Sequence, residues 1–165
     1  MFNFLKKKKT ENNLLACVDG VIIEIGKVND PVFADKMMGD GFAILSRGDT
    51  IYSPADGVVS MLFPTNHAYA ITLEDGMEIF VHIGIDTVKE EGKGFTSTLN
   101  VGDKVKAGDK IVSIDRFYLE EKGYDLTTMV IFTNQESYGS FCCEYGKEVK
   151  GGKDICALYK NKEAQ

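Results

Sequence analysis

The segment 65–86 constrains the fold more than any other part of the chain, because it has the pattern of a β-hairpin. Apolar residues alternate with smaller or more polar ones on both sides of Asp75-Gly76. That dipeptide is typical of a two-residue turn in which both central residues take a positive φ. A two-residue loop predicts the following opposite pairs across the hairpin: Glu74 and Met77, Tyr69 and His82, His67 and Gly84.

His67 and His82 are the two histidines of the chain. In the predicted register they are diagonal neighbours on one face, with backbones roughly 7–8 Å apart. Two imidazoles at that separation can meet over a common ligand. A register shifted by one residue is expected to place them on opposite faces of the sheet. The prediction of a site therefore depends on the turn.

Short strands separated by turn signals recur along the chain at intervals of roughly 8–12 residues, with little helical periodicity. This pattern predicts an all-β protein, a single-domain antiparallel β-sandwich or barrel with one or two short helical turns. The domain is expected to span residues 14–165. The first helix is expected at 31–38, with Asp30 as its cap, and the second at 116–122.

Residues 1–13 are predicted to be a flexible basic N-terminal tail. Phe2, Phe4 and Leu5 precede the lysine run 6–9, so weak contact of the tail with an anionic membrane is an alternative.

Charge and hydropathy limit the partners and the location. The net charge of −6 argues against nucleic acid as the main partner. We find no apolar run of about 18 residues and no secretory signal, which predicts a cytoplasmic protein. Cysteines 17, 142, 143 and 156 are expected to be reduced thiols, as is usual in the cytoplasm. They have no CxxC spacing, which argues against a zinc site made of thiolates.

The chemistry of the two histidines stays open at this point. Neutral imidazole can act as a nucleophile, a general base or a metal ligand. A zinc-dependent hydrolase would use His67 and His82 with Asp86 or Glu78 as a third ligand, since catalytic zinc usually needs three.

In phosphoryl transfer, His82 would be the acceptor. His67, oriented by the Thr65 hydroxyl, would donate a hydrogen bond to the phosphoryl oxygens. An apolar rim on which a partner protein sits is predicted from four residues: Val32, Phe33, Phe63 and Phe80.

Several strings resemble the glucose-class enzyme IIA of the bacterial sugar phosphotransferase system. They are SPADG at 53–57, TNHA at 65–68, FVHIGIDTV at 80–88, VFADKMMGDG at 32–41 and GKGF at 92–95. The resemblance extends from about Leu14 to Tyr159.

This resemblance implies a phosphocarrier with a β-sandwich fold and a function in sugar transport. The residue matching His82 accepts a phosphoryl group at Nε2, as tele-phosphohistidine, from the phosphocarrier HPr. It donates that group to the IIB domain of a glucose-class sugar permease. The matches to His67 and Thr65 assist, and those to Asp40 and Asp86 lie near the site and meet basic groups of the partner.

No organic cofactor and no bound metal are expected from the resemblance. A second functional class stays open, in which the chain is a purely regulatory binding module whose phosphorylation reports sugar supply to other proteins. The relay and the regulation of further targets are compatible with each other.

Overall fold

The computed structural model describes residues 11–134, 136 and 138–162. Its strands are β1 (Glu11–Leu15), β2 (Gly20–Glu24), β3 (Gly41–Ser46), β4 (Thr50–Tyr52), β5 (Gly57–Leu62), β6 (Ala68–Leu73), β7 (Glu78–Ile83), β8 (Phe95–Thr96), β9 (Lys104–Val105), β10 (Lys110–Ile114), β11 (Thr128–Phe132), β12 (Tyr138–Cys143), β13 (Glu148–Val149) and β14 (Ile155–Asn161). The α-helices are α1 (Pro31–Ala34) and α2 (Arg116–Glu121), and 3₁₀-helices cover Ile25–Lys27 and Thr87–Glu90.

The strands form one large antiparallel sheet and two small ones. The large sheet has eight strands in the order β13-β2-β3-β11-β7-β6-β5-β9. The small sheets have the orders β1-β14-β12 and β4-β10-β8. The prediction of an all-β sandwich or barrel with one or two short helical turns is therefore confirmed, with a sandwich as the observed form.

The large sheet buries both faces, and its two faces differ. One face contributes Tyr69, Ile71 and Ile79 to the main core, which also contains residues of the small sheets such as Ile51 and Tyr159. The other face carries a smaller cluster that is covered by residues of α1 and the preceding 3₁₀-helix. Its members are Ile25, Val28, Phe33, Ala43, Ala68, Ala70, Phe80, Met129 and Ile131.

The predicted register of the β6–β7 hairpin is wrong by one residue. The loop has three residues, Glu74 to Gly76, because the Leu73 N–H donates to the Met77 carbonyl at 2.8 Å. Gly76 takes φ +87° while Asp75 keeps a negative φ, as in a type I turn followed by a bulge. The observed pairs therefore replace all three predicted ones: Ala68 and His82, Tyr69 and Val81, Ala70 and Phe80, Ile71 and Ile79, Thr72 and Glu78.

The first helix is shorter than the predicted range 31–38, since it ends at Ala34. Lys36 takes a left-handed φ of +58°, which does not continue a helix. The predicted cap is confirmed, because the Asp30 carboxylate accepts the Val32 N–H at 3.0 Å. Helix α2 lies within the predicted range 116–122.

The predicted tail overlaps a strand. Residues 11–13 belong to β1, where Asn12 pairs with Tyr159 of β14, so ordered structure begins before the predicted boundary at 14. Residues 1–10, including the predicted membrane-contacting segment, lie outside the described residues. Within the described ranges, none of the helices has the length and apolar character needed to cross a membrane.

Candidate functional site

The two imidazoles meet on the smaller-cluster face of the large sheet. Their ring centroids are 5.1 Å apart and their planes are nearly perpendicular, at 83°. The predicted encounter is thus confirmed, although the register that led to it is wrong.

The position of His67 in the chain resolves this contradiction. His67 precedes β6, and its carbonyl accepts the Ile83 N–H at 2.8 Å. Asn66, directly before it, takes a left-handed φ of +58°. The alternation of faces along a paired strand therefore does not determine the direction of the His67 ring.

His82 has its Nδ1 2.8 Å from the carbonyl oxygen of Gly84. A carbonyl oxygen only accepts, so Nδ1 carries the proton and Nε2 keeps its lone pair. Burial lowers the pKa of His82, whereas the Gly84 carbonyl and the charges of Asp30 and Asp86 act in the opposite direction. His82 is therefore a neutral imidazole at pH 7, with Nε2 available as a nucleophile.

His67 is more deeply buried, with 1 % of its surface exposed. Burial, followed by the positive charge that His82 can acquire, lowers the pKa of His67 to about 4. Its Nδ1 lies 2.5 Å from the Thr65 hydroxyl oxygen, the contact predicted from the sequence. A hydroxyl that donates to Nδ1 leaves the proton of His67 on Nε2, where it can serve as a hydrogen-bond donor.

Aromatic rings surround the two histidines. Phe33 lies 5.0 Å from the His82 ring, and Phe80 lies 6.1 Å from it. Phe63 lies 5.1 Å from the His67 ring. Phe95, the last residue of the GKGF string, lies 6.5 Å from the His67 ring, and the sequence alone does not point to it as a site residue. These rings remove water from one side of the site.

The exposed rim is apolar as well. Val32, for which the sequence predicts partner binding, is 40 % exposed, and Val88, two residues after Asp86, is 50 % exposed. Phe63 and Ile85 are partly buried against the smaller cluster. Phe33 and Phe80 are buried, so they support the site from below and do not form its outer surface.

The charges of two aspartates, Asp30 and Asp86, act on the pKa of His82. Asp86 follows β7 and is exposed, as expected for a rim residue. Asp30, which the sequence does not connect with the site, carries a charge that opposes the lowering of the His82 pKa by burial. The carboxylate of Asp40 instead accepts the Gly41 N–H at 2.8 Å and pairs with Lys36 at 3.4 Å. Asp30 was recognisable in the sequence as a helix cap, and nothing in its local pattern pointed to the site.

Asp40 lines a different depression, which it shares with Tyr138 and Phe141 of β12. Met129 of β11 pairs with His82 on one side and with Ala43 of β3 on the other, so these three residues form one row across the sheet. Asp40 lies three residues before Ala43. This spacing is about 10 Å along a strand, which explains the separation of Asp40 from the histidines.

The site lacks the ligands of a catalytic zinc centre. Among the described residues, no three His, Cys, Asp or Glu side chains are placed to hold a metal ion. Glu78, considered as a third ligand, pairs with Thr72 at the far end of the hairpin, and Asp86 forms an ion pair with Lys89 at 3.8 Å. The zinc-hydrolase alternative is therefore not supported.

Comparisons with known proteins point to one family. The family model for the phosphoenolpyruvate-dependent sugar phosphotransferase system, EIIA 1, matches residues 12–138. The chain is 36 % identical over 160 residues to the PTS system glucose-specific EIIA component of Haemophilus influenzae, covering 97 % of this chain and 96 % of that relative. It is 39 % identical over 157 residues to the Buchnera aphidicola component of the same description, covering 95 % and 96 %.

This chain is similar to one part of a longer relative. The glucose-specific EIICBA component of Streptococcus pneumoniae is 44 % identical over 138 residues, which are 84 % of this chain and 19 % of that relative. Among solved structures, the glucose permease IIA from Mycoplasma capricolum is similar with a TM-score of 0.84 and 37 % identity, covering 96 % of this chain and 99 % of that chain.

Proposed function

The chain belongs to the EIIA 1 family of the phosphoenolpyruvate-dependent sugar phosphotransferase system, and we propose that it carries the phosphoryl group on Nε2 of His82. Members of this family are phosphocarriers, so the chain is a phosphotransferase component of a phosphohistidine relay.

The observation that carries the proposal is the hydrogen bond from His82 Nδ1 to the Gly84 carbonyl. It commits the proton to Nδ1 and leaves the Nε2 lone pair for attack on phosphorus. As the Nε2–P bond forms, the bond from phosphorus to the donor nitrogen breaks, and the His82 ring gains positive charge while keeping its Nδ1 proton. The Gly84 carbonyl, Asp30 and Asp86 stabilise that charge, because they are the groups that oppose the lowering of the His82 pKa by burial.

His67 has the complementary role of a neutral donor. Its pKa near 4 keeps it uncharged through the transfer. We assign its Nε2–H to the phosphoryl oxygens, with Thr65 holding the ring through Nδ1. A fixed donor of this kind stabilises the transition state, in which charge is spread over these oxygens.

The proposed partners are HPr as donor and the IIB domain of a glucose-class permease as acceptor. The apolar rim of Val32, Phe63 and Val88 provides a surface for both in turn. Asp30 and Asp86 add negative charge beside it, which suits a basic partner face and favours rapid encounter. The exposure of Val32, Val88 and Asp86 supports docking of a partner on this surface.

The test of the carrier residue is phosphorylation of purified protein by phosphoenolpyruvate, enzyme I and HPr, followed by intact mass. We expect wild type to gain the mass of one phosphoryl group and to lose it in acid, since a phosphoramidate is acid-labile. His82→Ala is expected to gain none, whereas His67→Ala, the matched control, still gains it. Phosphoryl uptake by His82→Ala at wild-type stoichiometry would assign the acceptor to another residue.

A purely regulatory module would differ from the proposed phosphoryl relay in one measurable respect. On our proposal the phosphorylated protein passes the group to purified IIB, whereas a pure reporter of sugar supply retains it. We further propose a cytoplasmic location for the relay. We also propose that the protein regulates further target proteins and that residues 2–9 contact an anionic membrane weakly. Sedimentation of the full chain with anionic vesicles tests the membrane contact.

A further inference from the structure

Glu90 accepts hydrogen bonds from two tyrosines that come from another part of the chain. Its Oε1 accepts the hydroxyl of Tyr118, which lies in α2, and its Oε2 accepts that of Tyr124, just after α2, at 2.8 Å. The two hydroxyls lower the pKa of the Glu90 carboxyl, that of Tyr118 most. Glu90 ends the 3₁₀-helix that follows the His82 strand. It therefore ties this segment to α2 and to the residues that follow α2.

The loop after Glu90 supports the His67 side of the site. It passes so close to Thr65 that a Cβ on Gly92 would lie 3.6 Å from the Thr65 Cα. On its other side, a Cβ on Gly94 would lie 3.0 Å from Cγ of Leu119 in α2. The loop is thus held between α2 and the residue whose hydroxyl contacts His67 Nδ1.

The segment after Tyr124 supports the His82 side. The Asp125 carbonyl accepts the Ile85 N–H at 2.8 Å, and the Thr127 carbonyl accepts the Gly84 N–H at 3.0 Å. Gly84 in turn accepts the Nδ1–H of His82. A short path of backbone hydrogen bonds therefore connects the Tyr124 contact with Glu90 to the group that orients the acceptor imidazole.

We propose that Glu90 is a positioning residue for phosphoryl transfer, fixing the two imidazoles relative to each other by joining their separate supports through Tyr118 and Tyr124. The inference rests on the proposed function of His82 and His67. Glu90 itself does not touch the phosphoryl group. Its loss changes the alignment of the donor N–H and the nucleophile, and misalignment slows transfer strongly even when all reacting groups are present.

The test compares Glu90→Ala with Glu91→Ala and with the double variant Tyr118→Phe/Tyr124→Phe. The two Ala variants remove the same charge from neighbouring positions, so they match in their effect on charged partners. The double variant removes the same hydrogen bonds with no change of charge. Thermal unfolding of each variant identifies those that are folded, and Glu90→Gln, which keeps an acceptor oxygen, provides a conservative variant.

We expect transfer from the phosphorylated protein to purified IIB to slow roughly five- to tenfold in Glu90→Ala and in the double variant. Glu91→Ala should stay within about twofold of wild type, and Glu90→Gln should recover part of the loss. Combining Glu90→Ala with the double variant should add little, because both remove one shared interaction.

A second readout does not depend on phosphoryl transfer. In long-range ¹H–¹⁵N spectra of the unphosphorylated protein, the imidazole nitrogens of His67 and His82 should shift in Glu90→Ala and in the double variant, and not in Glu91→Ala. Spectra and transfer rates that match those of Glu91→Ala would overturn the positioning role. If wild type itself does not transfer, the spectra still decide this inference while the proposed function fails.

Discussion

The two histidines differ in their surroundings although their rings lie only 5.1 Å apart. His67 is 1 % exposed, and its pKa is lowered to about 4. His82 is partly exposed, and a carbonyl and two carboxylates oppose the lowering of its pKa by burial. The two environments suit the two proposed roles, a neutral donor for His67 and a nucleophile that tolerates positive charge for His82.

The hydrogen-bond partners sharpen this contrast. Gly84 presents a backbone carbonyl to His82, which fixes one tautomer and cannot be removed by side-chain substitution. Thr65 presents a hydroxyl to His67, which can donate or accept. The orientation of His67 is therefore the part of the site that mutation can separate from the rest.

The largest expected effect comes from removing the donor while keeping the nucleophile. In His67→Ala, transfer from the phosphorylated protein to IIB should fall roughly 10²–10³-fold, as when one fixed donor to a transition-state oxygen is lost. Uptake from phospho-HPr should fall less than about tenfold. Quenched-flow transfer of radiolabelled phosphate measures both steps, and equal losses in the two steps would remove the distinction between the histidines.

The buried histidine should also make stability depend on pH. The pKa of His67 is about 4 in the folded protein and 6.5 as its ordinary value, so the unfolded chain binds a proton in this range that the folded protein excludes. Stability is then fully present above pH 6.5 and decreases as the pH falls toward 4, by about 3 kcal/mol at pH 4.

Denaturant unfolding of wild type and His67→Asn at pH 7, 5 and 4 measures this contribution. The carboxylates titrate equally in both proteins, so the difference between their curves of stability against pH isolates the contribution of His67. We expect the wild-type curve to be the steeper one. Parallel curves would show that His67 protonates as readily in the folded protein as in the unfolded chain.

Thr65 should have a smaller effect, limited to the orientation of one ring. Thr65→Val keeps the shape of the side chain and removes its hydroxyl, at a loss of about 1 kcal/mol for one hydrogen bond. Transfer to IIB should slow roughly tenfold or less, with uptake on His82 nearly unchanged. Thr65→Ser, which keeps the hydroxyl, is the matched control and should stay close to wild type. If both variants slow transfer alike, packing and not the hydrogen bond is the contribution of Thr65.

The sequence predicted the fold class and the pair of histidines, because alternating strands, turn signals and the family's strings are local patterns. It did not predict the turn. Asp75-Gly76 fits both a two-residue turn and a three-residue loop ending in glycine. The observed three-residue loop is accompanied by two hydrogen bonds to the Asp75 side chain, which accepts the Met77 N–H at 2.9 Å and the Tyr159 hydroxyl at 2.6 Å. Tyr159 lies 84 residues away, and no local pattern reports it.

The aspartates illustrate the same limit. Asp40 belongs to the string 32–41 that carries part of the resemblance, whereas Asp30 lies two residues before it, and the sequence does not tell which charge acts on His82. The answer depends on the path of the chain between them. Asp30 caps the helix that covers the site, and Asp40 begins the approach to β3 about 10 Å along that strand from the row containing His82.

The smallest expected effect tests whether the turn and the site are independent. Gly76 takes φ +87° with open space around it, so Gly76→Ala adds backbone strain of about 1 kcal/mol and no clash. Unfolding should detect this loss, while transfer to IIB stays within about twofold of wild type. The reason is that His67 precedes β6, and the left-handed Asn66 and the Ile83–His67 hydrogen bond set its position. A marked loss of transfer in the folded variant would mean that the turn determines the meeting of the imidazoles after all, and that the contrast between His67 and His82 originates in the strand register.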